Sequence, residues 1–392
     1  MNLYKIIIIC SLVFSQTFAQ NFQFIAMSDS RGQYNGVNDS ILTKLVNHII
    51  ENQKEAKFII FAGDMVGGNR DNPNRTYRQL LHWKDVMNPV YNNPNMVWPK
   101  IWPVVGNHEI QHRMDEDNFR KAFPNVYNNG PEDEKGLSYS FDFKNTHFTI
   151  VNTDRWYYGE PDDTTDDTRD WHYIKHLDWL ENDLKSARER KVDHIFVISH
   201  DMIYPVGGHL HDGLGNLGRK FKLPMDSTQT WYMNQRQKVI DILDKYEVAA
   251  HICGHEHLYS RQNVNDVFEI IAGSAGAPLY NFNPVYRENP DTHYVWEEMS
   301  YTNAIPYYEA FNYFYGPGEN SQASRNFVGK KAFNYVLFDV GKDIIHATTY
   351  GAYSDPKDNT KMVGNIQIID EFDIPKTTTR KCKSKSCSDK CK

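Results

Sequence analysis

The chain has 392 residues, of which 24% are charged and 14% aromatic, and its formal net charge is −7. This length permits one large domain or two small ones with a sizeable hydrophobic core, and this composition excludes a mainly disordered chain. The acidic balance argues against a protein that wraps DNA or RNA.

Residues 1–19 are typical of a secretory signal peptide. Lys5 precedes an apolar run from Ile6 to Phe14, and Thr17 and Ala19 are the small residues expected before a cleavage site. The run is too short to span a bilayer. No later stretch is long and apolar enough for a membrane helix. We therefore expect cleavage after Ala19, a secreted or periplasmic protein, and no membrane span.

Apolar runs bounded by polar or turn residues predict strands, and apolar residues at helical spacing predict helices. The expected strands are 22–28, 58–62, 101–105, 137–143, 146–151, 194–199, 248–253, 267–272, 332–340, 343–349 and 365–370. The expected helices are 39–54, 75–87, 171–190 and 231–243. Strands that alternate with helices indicate a layered α/β fold, and the late run of strands indicates a second sheet.

The elements indicate one main domain over residues 20–372, followed by a basic, Cys- and Lys-rich tail over 373–392 that we expect to be disordered. Two long loops, 152–170 and 278–330, are expected to form a rim around the site. Cys253 is expected to be a packed core thiol.

Five short motifs follow predicted strands. They are Asp29–Arg31, Gly63–Asp64, Gly106–Glu109, Ser199–His200 and Gly254–His257. In open α/β sheets, ligands bind at the carboxyl ends of strands, so these motifs are expected to converge. Their Asp, Asn and His side chains suffice to hold two metal ions. Such a pair suits phosphate ester hydrolysis, because it acidifies a water molecule and neutralises the phosphoryl oxygens.

The residue types suggest distinct roles in such a centre. Asp64 is the candidate bridging carboxylate, because one group must hold both ions together. Asn107 can donate only a neutral amide oxygen, which fits a second ion that His200 and His255 also bind. His257 would serve the first ion, and a turn at Gly254 is needed to bring it beside His255.

His108 stands next to Asn107 and is not expected to be a ligand. Its expected role is general acid to the leaving oxygen, or stabiliser of developing charge. Each motif alone also occurs by chance, and a single histidine is more often a surface residue than a ligand. Five motifs in this order, each after a strand, make chance a poor explanation.

The motifs resemble the pattern of the calcineurin-like metallophosphoesterase superfamily: D-x-H, G-D, G-N-H-[ED], a single H, then G-H-x-H. The resemblance covers roughly residues 22–275. It implies a four-layer αββα sandwich of two mixed β-sheets flanked by helices, with a dinuclear metal site at the strand ends. The implied ligands are Asp29, Asp64 and His257 for the first metal, and Asp64, Asn107, His200 and His255 for the second.

Arg31 departs from that pattern, because the first motif of the superfamily ends in a histidine ligand. A guanidinium stays protonated and cannot bind a cation. Purple acid phosphatases use a tyrosine three residues after the bridging Asp instead, but that position here is Gly67. Tyr34 or water could fill the place. Arg31 is either a bidentate phosphate clamp, which we favour, or a salt-bridge partner of an acidic loop. An alternative consequence of Arg31 in place of the histidine is a site that binds only one metal ion tightly.

These observations predict an exported, metal-dependent phosphoesterase that hydrolyses small organic phosphate esters, with a metal-held hydroxide as nucleophile. Arg31 favours monoesters, because it adds positive charge for a dianion. The expected cofactors are two divalent or trivalent ions, with iron, zinc and manganese all suited to Asp, Asn and His ligands. Alternatives are a phosphodiesterase or nucleotidase of the same fold, or a catalytically inactive phosphate-binding homologue. The sequence does not indicate an oligomeric state.

Several nearby residues have weaker indications. Asp201 could orient His200, and Glu109 could support the turn at Asn107. His209 and His211 could touch substrate, although glycines flank this loop and a surface position is equally consistent.

Overall fold

The structure is a computed structural model that describes residues 21–32, 34–154, 174–204, 206, 237–264, 266–280 and 328–376. The strands and helices follow in chain order. The strands are β1 (Phe22–Met27), β2 (Ala56–Phe61), β3 (Ile101–Pro103), β4 (Tyr139–Phe143), β5 (Thr146–Ile150), β6 (His194–Ile198), β7 (Ala250–Cys253), β8 (Tyr259–Val264), β9 (Val267–Ala272), β10 (Val328–Lys330), β11 (Ala332–Val340), β12 (Ile344–Asp355), β13 (Asp358–Met362) and β14 (Gln367–Pro375). The helices are α1 (Asp39–Asn52), α2 (Pro73–Val86), α3 (Asn88–Tyr91), α4 (Asp115–Ala122) and α5 (Leu177–Glu189), with a further helical stretch at 237–245.

Sheet 1 has the strand order β13-β12-β11-β1-β2-β3, and β14 also pairs with β12. Its central strand β1 runs parallel to β2 and antiparallel to β11, so the sheet is mixed. Apart from Gln23, every residue of β1 is buried, as expected for a strand that is covered on both faces.

Sheet 2 has the strand order β10-β8-β9-β7-β6-β5-β4. The neighbours β5, β6, β7 and β9 run parallel, whereas β4, β8 and β10 pair antiparallel at the two sides. The carboxyl ends of β6 and β7 therefore lie together at one edge of sheet 2.

An aromatic core joins the two sheets. The ring of Phe24 in β1 stacks on Phe338 of β11 at 4.7 Å and meets Phe148 of β5 edge-on at 5.2 Å. It also meets Phe196 of β6 edge-on at 5.1 Å. Such offset and edge-on pairs add to the burial of apolar area. The sheets thus pack face to face through one hydrophobic layer.

Helices cover the outer faces of both sheets. Apolar residues of α1 and α2 pack on the outer face of sheet 1 in one core cluster. Residues of α5 and of the stretch 237–245 pack on sheet 2 in another. Apolar residues of α1 fall on one face at helical spacing, and the side chain of Asn38 accepts a hydrogen bond from the amide of Ile41 at its start. The predicted αββα sandwich of two mixed sheets is confirmed.

Some element boundaries differ from those predicted. Helix α5 begins at Leu177, and residues 174–176 before it are not helical. Lys175 and His176 there contact Asp133 at 2.7 and 2.8 Å, and these ion pairs hold the segment against a neighbouring turn. Strand β12 runs to Asp355, because it pairs with β11 and β14 well beyond residue 349.

Several predictions concern residues outside the described part of the chain. They are the signal peptide (1–19), most of the two rim loops (155–170 and 281–327), the histidines at 209 and 211, and the end of the tail (377–392). Strand β14 extends to Pro375 and stays within sheet 1. No helix among the described residues is long and apolar enough to cross a membrane.

Candidate metal centre

The carboxyl ends of five strands converge at one edge of the sandwich. Sheet 1 brings Asp29, Asp64 and Asn107 there, after β1, β2 and β3. Sheet 2 brings His200 and His255, after β6 and β7. The carboxylates and imidazoles among them are almost completely buried. The two sheets therefore contribute to one polar cluster.

The chain turns sharply at three of these positions. Asp29, Asp64 and His255 have positive φ angles of 57°, 52° and 67°. The left-handed region is uncommon for residues with a side chain, although Asp and His adopt it more readily than most others. The amide of Asp29 donates to the carbonyl oxygen of Gly63 at 3.0 Å, and the first two turns thereby hold each other.

Glycines allow the motifs to approach one another closely. A Cβ atom at Gly254 would lie 2.5 Å from Oδ2 of Asp29, and one at Gly106 would lie 2.6 Å from Oδ1 of Asp64. Any side chain at these positions would push the carboxylates away from the cluster. The glycines of the motifs are thus needed for packing against the neighbouring ligand.

Asp64 belongs to two groups of side chains that could each hold a metal ion. One group is Asp29, Asp64 and His257; the other is Asp64, His200 and His255. Within each group, the ligand atoms all lie within 4.8 Å of one another. Asp64 is the residue they share, which is the arrangement that a bridging carboxylate requires.

The tautomers of two histidines suit metal binding. Nδ1 of His200 donates to the carbonyl oxygen of Ala62 at 2.8 Å, and Nδ1 of His257 donates to that of Pro278 at 2.8 Å. Because Nδ1 keeps a proton for this bond, a metal ion that displaces the second proton would bind the lone pair of Nε2. These Nε2 atoms lie 3.3 Å from Oδ1 of Asp64 and 3.6 Å from Oδ1 of Asp29, respectively.

The buried carboxylates make the cluster attractive to positive charge. Burial lowers the pKa of His200, yet Asp64 and Asp29 outweigh it and raise that pKa to about 10. Burial, opposed by His200 and aided by Asp64, raises the pKa of Asp29 to about 7. Burial acts to raise the pKa of Asp64. The electrostatic interactions with His108 and with the other basic side chains around it outweigh burial and hold that pKa below its usual range.

Glu109 holds two of the motif turns at once. Its carboxylate accepts hydrogen bonds from the amides of Asp64 (2.8 Å), Val66 (3.1 Å) and Gly106 (2.9 Å). Sequence reasoning expected support only for the turn at Asn107. The amide oxygen of Asn107 lies 3.3 Å from Nε2 of His200, on the side of the second candidate site.

His108 lies at the mouth of the cluster and is partly exposed. Its Nδ1 donates to the carbonyl oxygen of Gly67 at 2.8 Å, and its Nε2 lies 3.8 Å from Oδ2 of Asp64. Burial lowers its pKa, against the pull of Asp64. Its Nε2 thus faces the shared carboxylate.

Arg31 contacts the shared carboxylate itself. Its Nε lies 3.6 Å from Oδ2 of Asp64, and this buried nitrogen makes no hydrogen bond within the described residues. Its terminal nitrogen donates to the hydroxyl of Tyr280 at 3.3 Å. An incoming oxyanion could therefore take the remaining donors. Tyr34, considered as a replacement ligand, is 92% exposed and does not belong to the buried cluster.

Tyr280 is a residue of the site that sequence reasoning missed. Its ring stacks on that of His257 at 4.1 Å between centroids, and its amide donates to the carbonyl oxygen of His257 at 3.0 Å. Residues 273–280 carry no strand or helix pattern, so no periodicity could have indicated it. The available signals were its position shortly after the last predicted strand of the motif region and its place in the stretch 278–330, which was expected to form a rim around the site.

A second missed feature is a buried chain of polar side chains behind His200. Oγ of Ser199 lies 2.6 Å from Nε2 of His251, whose Nδ1 lies 3.1 Å from Glu269. Glu269 also accepts hydrogen bonds from the amides of Ile203 and Tyr204 at 2.8 and 2.9 Å. The loop after β6 is thereby fixed next to His200.

Two carboxylates extend the second candidate site. Asp154, His200 and Asp201 form another close group, and Oδ1 of Asp201 lies 3.7 Å from Nε2 of His255. The donor set around the second site is thus rich in oxygen and nitrogen ligands, which suit iron, zinc or manganese. The first site has fewer donors and a guanidinium beside it.

Comparison with known proteins agrees with this geometry. A curated relative, acid phosphatase type 7 from Mus musculus, is 26% identical over 183 residues, 45% of this chain and 36% of that protein. The chain thus matches about a third of the length of this relative.

Among solved structures, a purple acid phosphatase from yellow lupin (Lupinus luteus) seeds matches with a TM-score of 0.56 and 15% identity, over 91% of this chain and 54% of that one. A dimetal phosphatase from Danio rerio matches with a TM-score of 0.51 and 11% identity, over 91% and 99%. At these identities the likeness is one of fold. The family model described as calcineurin-like phosphoesterase matches residues 22–259. The chain therefore belongs to the calcineurin-like phosphoesterase family.

Proposed function

We propose that the protein is an exported phosphatase that hydrolyses small organic phosphate esters, monoesters in preference to diesters, at a dinuclear metal centre. The observation that carries this proposal is the position of Asp64, whose carboxylate is common to two groups of metal-capable side chains. The acid phosphatase relative and the family match support a hydrolase of phosphate esters.

The proposed ligands are Asp29, Asp64 and His257 for the first metal, and Asp64, Asn107, His200 and His255 for the second. Metals bound there would supply an acidified water molecule and neutralise charge on the phosphoryl oxygens. The protonation of Nδ1 in two of the histidines fits this role, because it directs their Nε2 atoms into the cluster.

The remaining side chains act on the substrate. Arg31 binds a phosphoryl oxygen, because its guanidinium is held by Tyr280 while Nε has no hydrogen bond within the described residues. When both ring nitrogens of His108 are protonated, Nε2 donates its proton to the departing alcohol oxygen, and Nδ1 keeps the proton that it donates to the carbonyl oxygen of Gly67. The preference for monoesters follows from Arg31, which adds positive charge for a dianion.

A catalytically inactive phosphate-binding protein is the second candidate, and Arg31 is the observation that favours it. The guanidinium stands beside the shared carboxylate and adds positive charge next to the first candidate site. A protein that binds one metal tightly, at the second site only, is intermediate between the dinuclear phosphatase and the inactive phosphate-binding protein. His108 argues for turnover, since a site that only binds phosphate needs no general acid.

Turnover of model substrates separates these possibilities. The purified protein, loaded in turn with Mn²⁺, Zn²⁺ or Fe²⁺, is assayed on p-nitrophenyl phosphate and on its bis-ester. We expect release from the monoester well above that of an Asp64→Ala variant. An Asp85→Ala variant, which removes an exposed carboxylate on α2, serves as the matched control. Release no greater than that of Asp64→Ala, despite bound metal, would support the binding protein.

Export is proposed from residues 1–19 and is tested separately. These residues are fused to a reporter enzyme without a signal of its own, and the exported product is sequenced from its N-terminus. We expect the product to begin directly after Ala19. A reporter that stays inside the cell uncleaved would contradict export.

A further inference from the structure

A groove of about 580 Å³ lies beside the candidate metal centre. One wall is the loop after β1, which includes Arg31 and Tyr34, and another wall includes Gly276 and Pro278. The first turn of α1 and Lys361 of β13 complete the lining. We call this feature the Arg31 groove. Its volume falls within the range of small-molecule sites.

Both walls of the Arg31 groove connect directly to the first candidate metal site. Arg31 follows Asp29 by two residues and contacts Asp64. On the other wall, the carbonyl oxygen of Pro278 accepts the hydrogen bond that orients His257. A substrate group that extends from the cluster on this side therefore enters the Arg31 groove.

The charges around the Arg31 groove favour an anion. Three cationic side chains line it, against one carboxylate: Arg31, Lys44 and Lys361, against Asp39. The carboxylate of Asp39 is already engaged, because Nε2 of His82 lies 2.9 Å from it. The N-terminus of α1 adds the positive end of a helix dipole to the same lining.

Lys361 has a partner that an anion can replace. Its ammonium lies 2.9 Å from Asp358, three residues before it, and both side chains reach solvent. Exposed pairs of this kind contribute little to stability, so the lysine can swing towards a bound anion at small cost. Lys44 is exposed on α1, and its positively charged side chain also lines the groove.

We propose that the Arg31 groove binds the alcohol part of the substrate, and that this part carries a second anionic group, either a carboxylate or a second phosphate. This inference rests on the proposed phosphatase function. The guanidinium of Arg31 contacts the phosphoryl group that is transferred, while Lys44 and Lys361 bind the distant anion. The preferred substrates are then small organic phosphates with negative charge at both ends.

The test uses alkyl phosphates of equal chain length that end in a methyl, a carboxylate or a second phosphate group. We expect wild-type kcat/KM to be at least about tenfold higher for one or both anionic substrates than for the methyl-ended one. The carboxylate and phosphate arms show which anion is preferred. Lys44→Glu and Lys361→Glu should remove this preference. Lys54→Glu, an exposed charge reversal outside the groove, is the control.

Equal kcat/KM for all three substrates would overturn the inference, as would variants that slow all three substrates equally. Phosphonate analogues of the series, measured by calorimetry, give the same comparison without turnover. Failure of hydrolysis with a retained phosphonate preference would contradict the proposed function alone. Hydrolysis of p-nitrophenyl phosphate with no anionic preference would contradict the groove alone.

Discussion

Nε of Arg31 lies 3.6 Å from Oδ2 of Asp64, the carboxylate that the two candidate metal sites share. The superfamily pattern has a histidine ligand at this position. The chain therefore places a fixed positive charge next to the first site and removes one of its donors. The two sites should differ in affinity, with the second binding its metal more tightly.

Replacing Arg31 by histidine tests this asymmetry. Arg31→His should tighten the first metal, because an imidazole donor replaces a cation. It should also weaken phosphate inhibition by about tenfold or more, because a charge-assisted bond is lost. Calorimetric metal titration and phosphate inhibition constants measure the two effects. Arg78→His, at an exposed position of α2, is the control. If neither quantity moves, Arg31 is only a structural salt-bridge partner.

Removing the imidazole of His108 should lower the rate and leave the metals in place. We expect kcat of His108→Ala to fall by about 10²–10⁴-fold, the usual contribution of a general acid. The metal content per chain should equal that of the wild type, because the imidazole of His108 lies 3.8 Å from Asp64 and the backbone amide that bonds Asp64 at 3.0 Å is kept in alanine. His346→Ala, an exposed histidine of β12, is the control. Loss of metal from His108→Ala would make it a ligand instead.

The buried chain from Ser199 to Glu269 should govern the second metal. Glu269→Gln weakens the hold on the amides of Ile203 and Tyr204 and on His251, so His200 loses its fixed position. We expect the affinity for the second metal to fall by about 10–100-fold, as for other residues that orient ligands. The first metal should be unaffected, as metal titration followed by spectroscopy would show.

Two further variants distinguish that result from a general loss of structure. Ser199→Ala removes only the hydroxyl beside His251 and should shift the second metal in the same direction. Glu371→Gln changes an exposed carboxylate of β14 and should change nothing. An equal loss of both metals in Glu269→Gln, together with a lower unfolding temperature, would indicate a structural role alone.

Asp115 should make stability fall as the pH rises. Burial raises the pKa of this carboxyl from 3.8 to about 6, despite hydrogen bonds from Asn118 and others. Because the folded state binds the proton more tightly, the stabilisation is present below pH 3.8 and is lost as the pH rises through about 6. Urea unfolding of wild type and Asp115→Asn should show the wild type losing stability relative to the variant over this window. A constant difference would contradict the shift.

The residues that cluster at one edge of the sandwich could be located from the sequence because their motifs follow apolar strands within a few residues. Asp64 and His200 have buried runs before them, and parallel strands bring their carboxyl ends to one edge. Each motif glycine also marks a close approach, as Gly254 does against Asp29. The prediction of two sheets is confirmed, but its reason was wrong: the late strands β11 to β14 join β1 in sheet 1, and sheet 2 consists of β4 to β10.

The supporting residues could not be predicted, because their roles arise from contacts distant in sequence. Tyr280 reaches Arg31 across 249 positions, from a segment without periodicity. Glu269 and His251 interrupt otherwise apolar strands, and such polar residues look like solvent-facing positions until the second layer is known. Strand β13 was missed for a similar reason, since its residues are polar and pair only with β12.

Anomalous diffraction from crystals loaded with Mn²⁺ tests the central claim most directly. We predict two peaks, each within about 2–2.5 Å of a carboxylate oxygen of Asp64. One peak should also contact Asp29 and His257, and the other His200 and His255. Peaks that avoid Asp64, or no peak at this edge of the sandwich, would contradict the account.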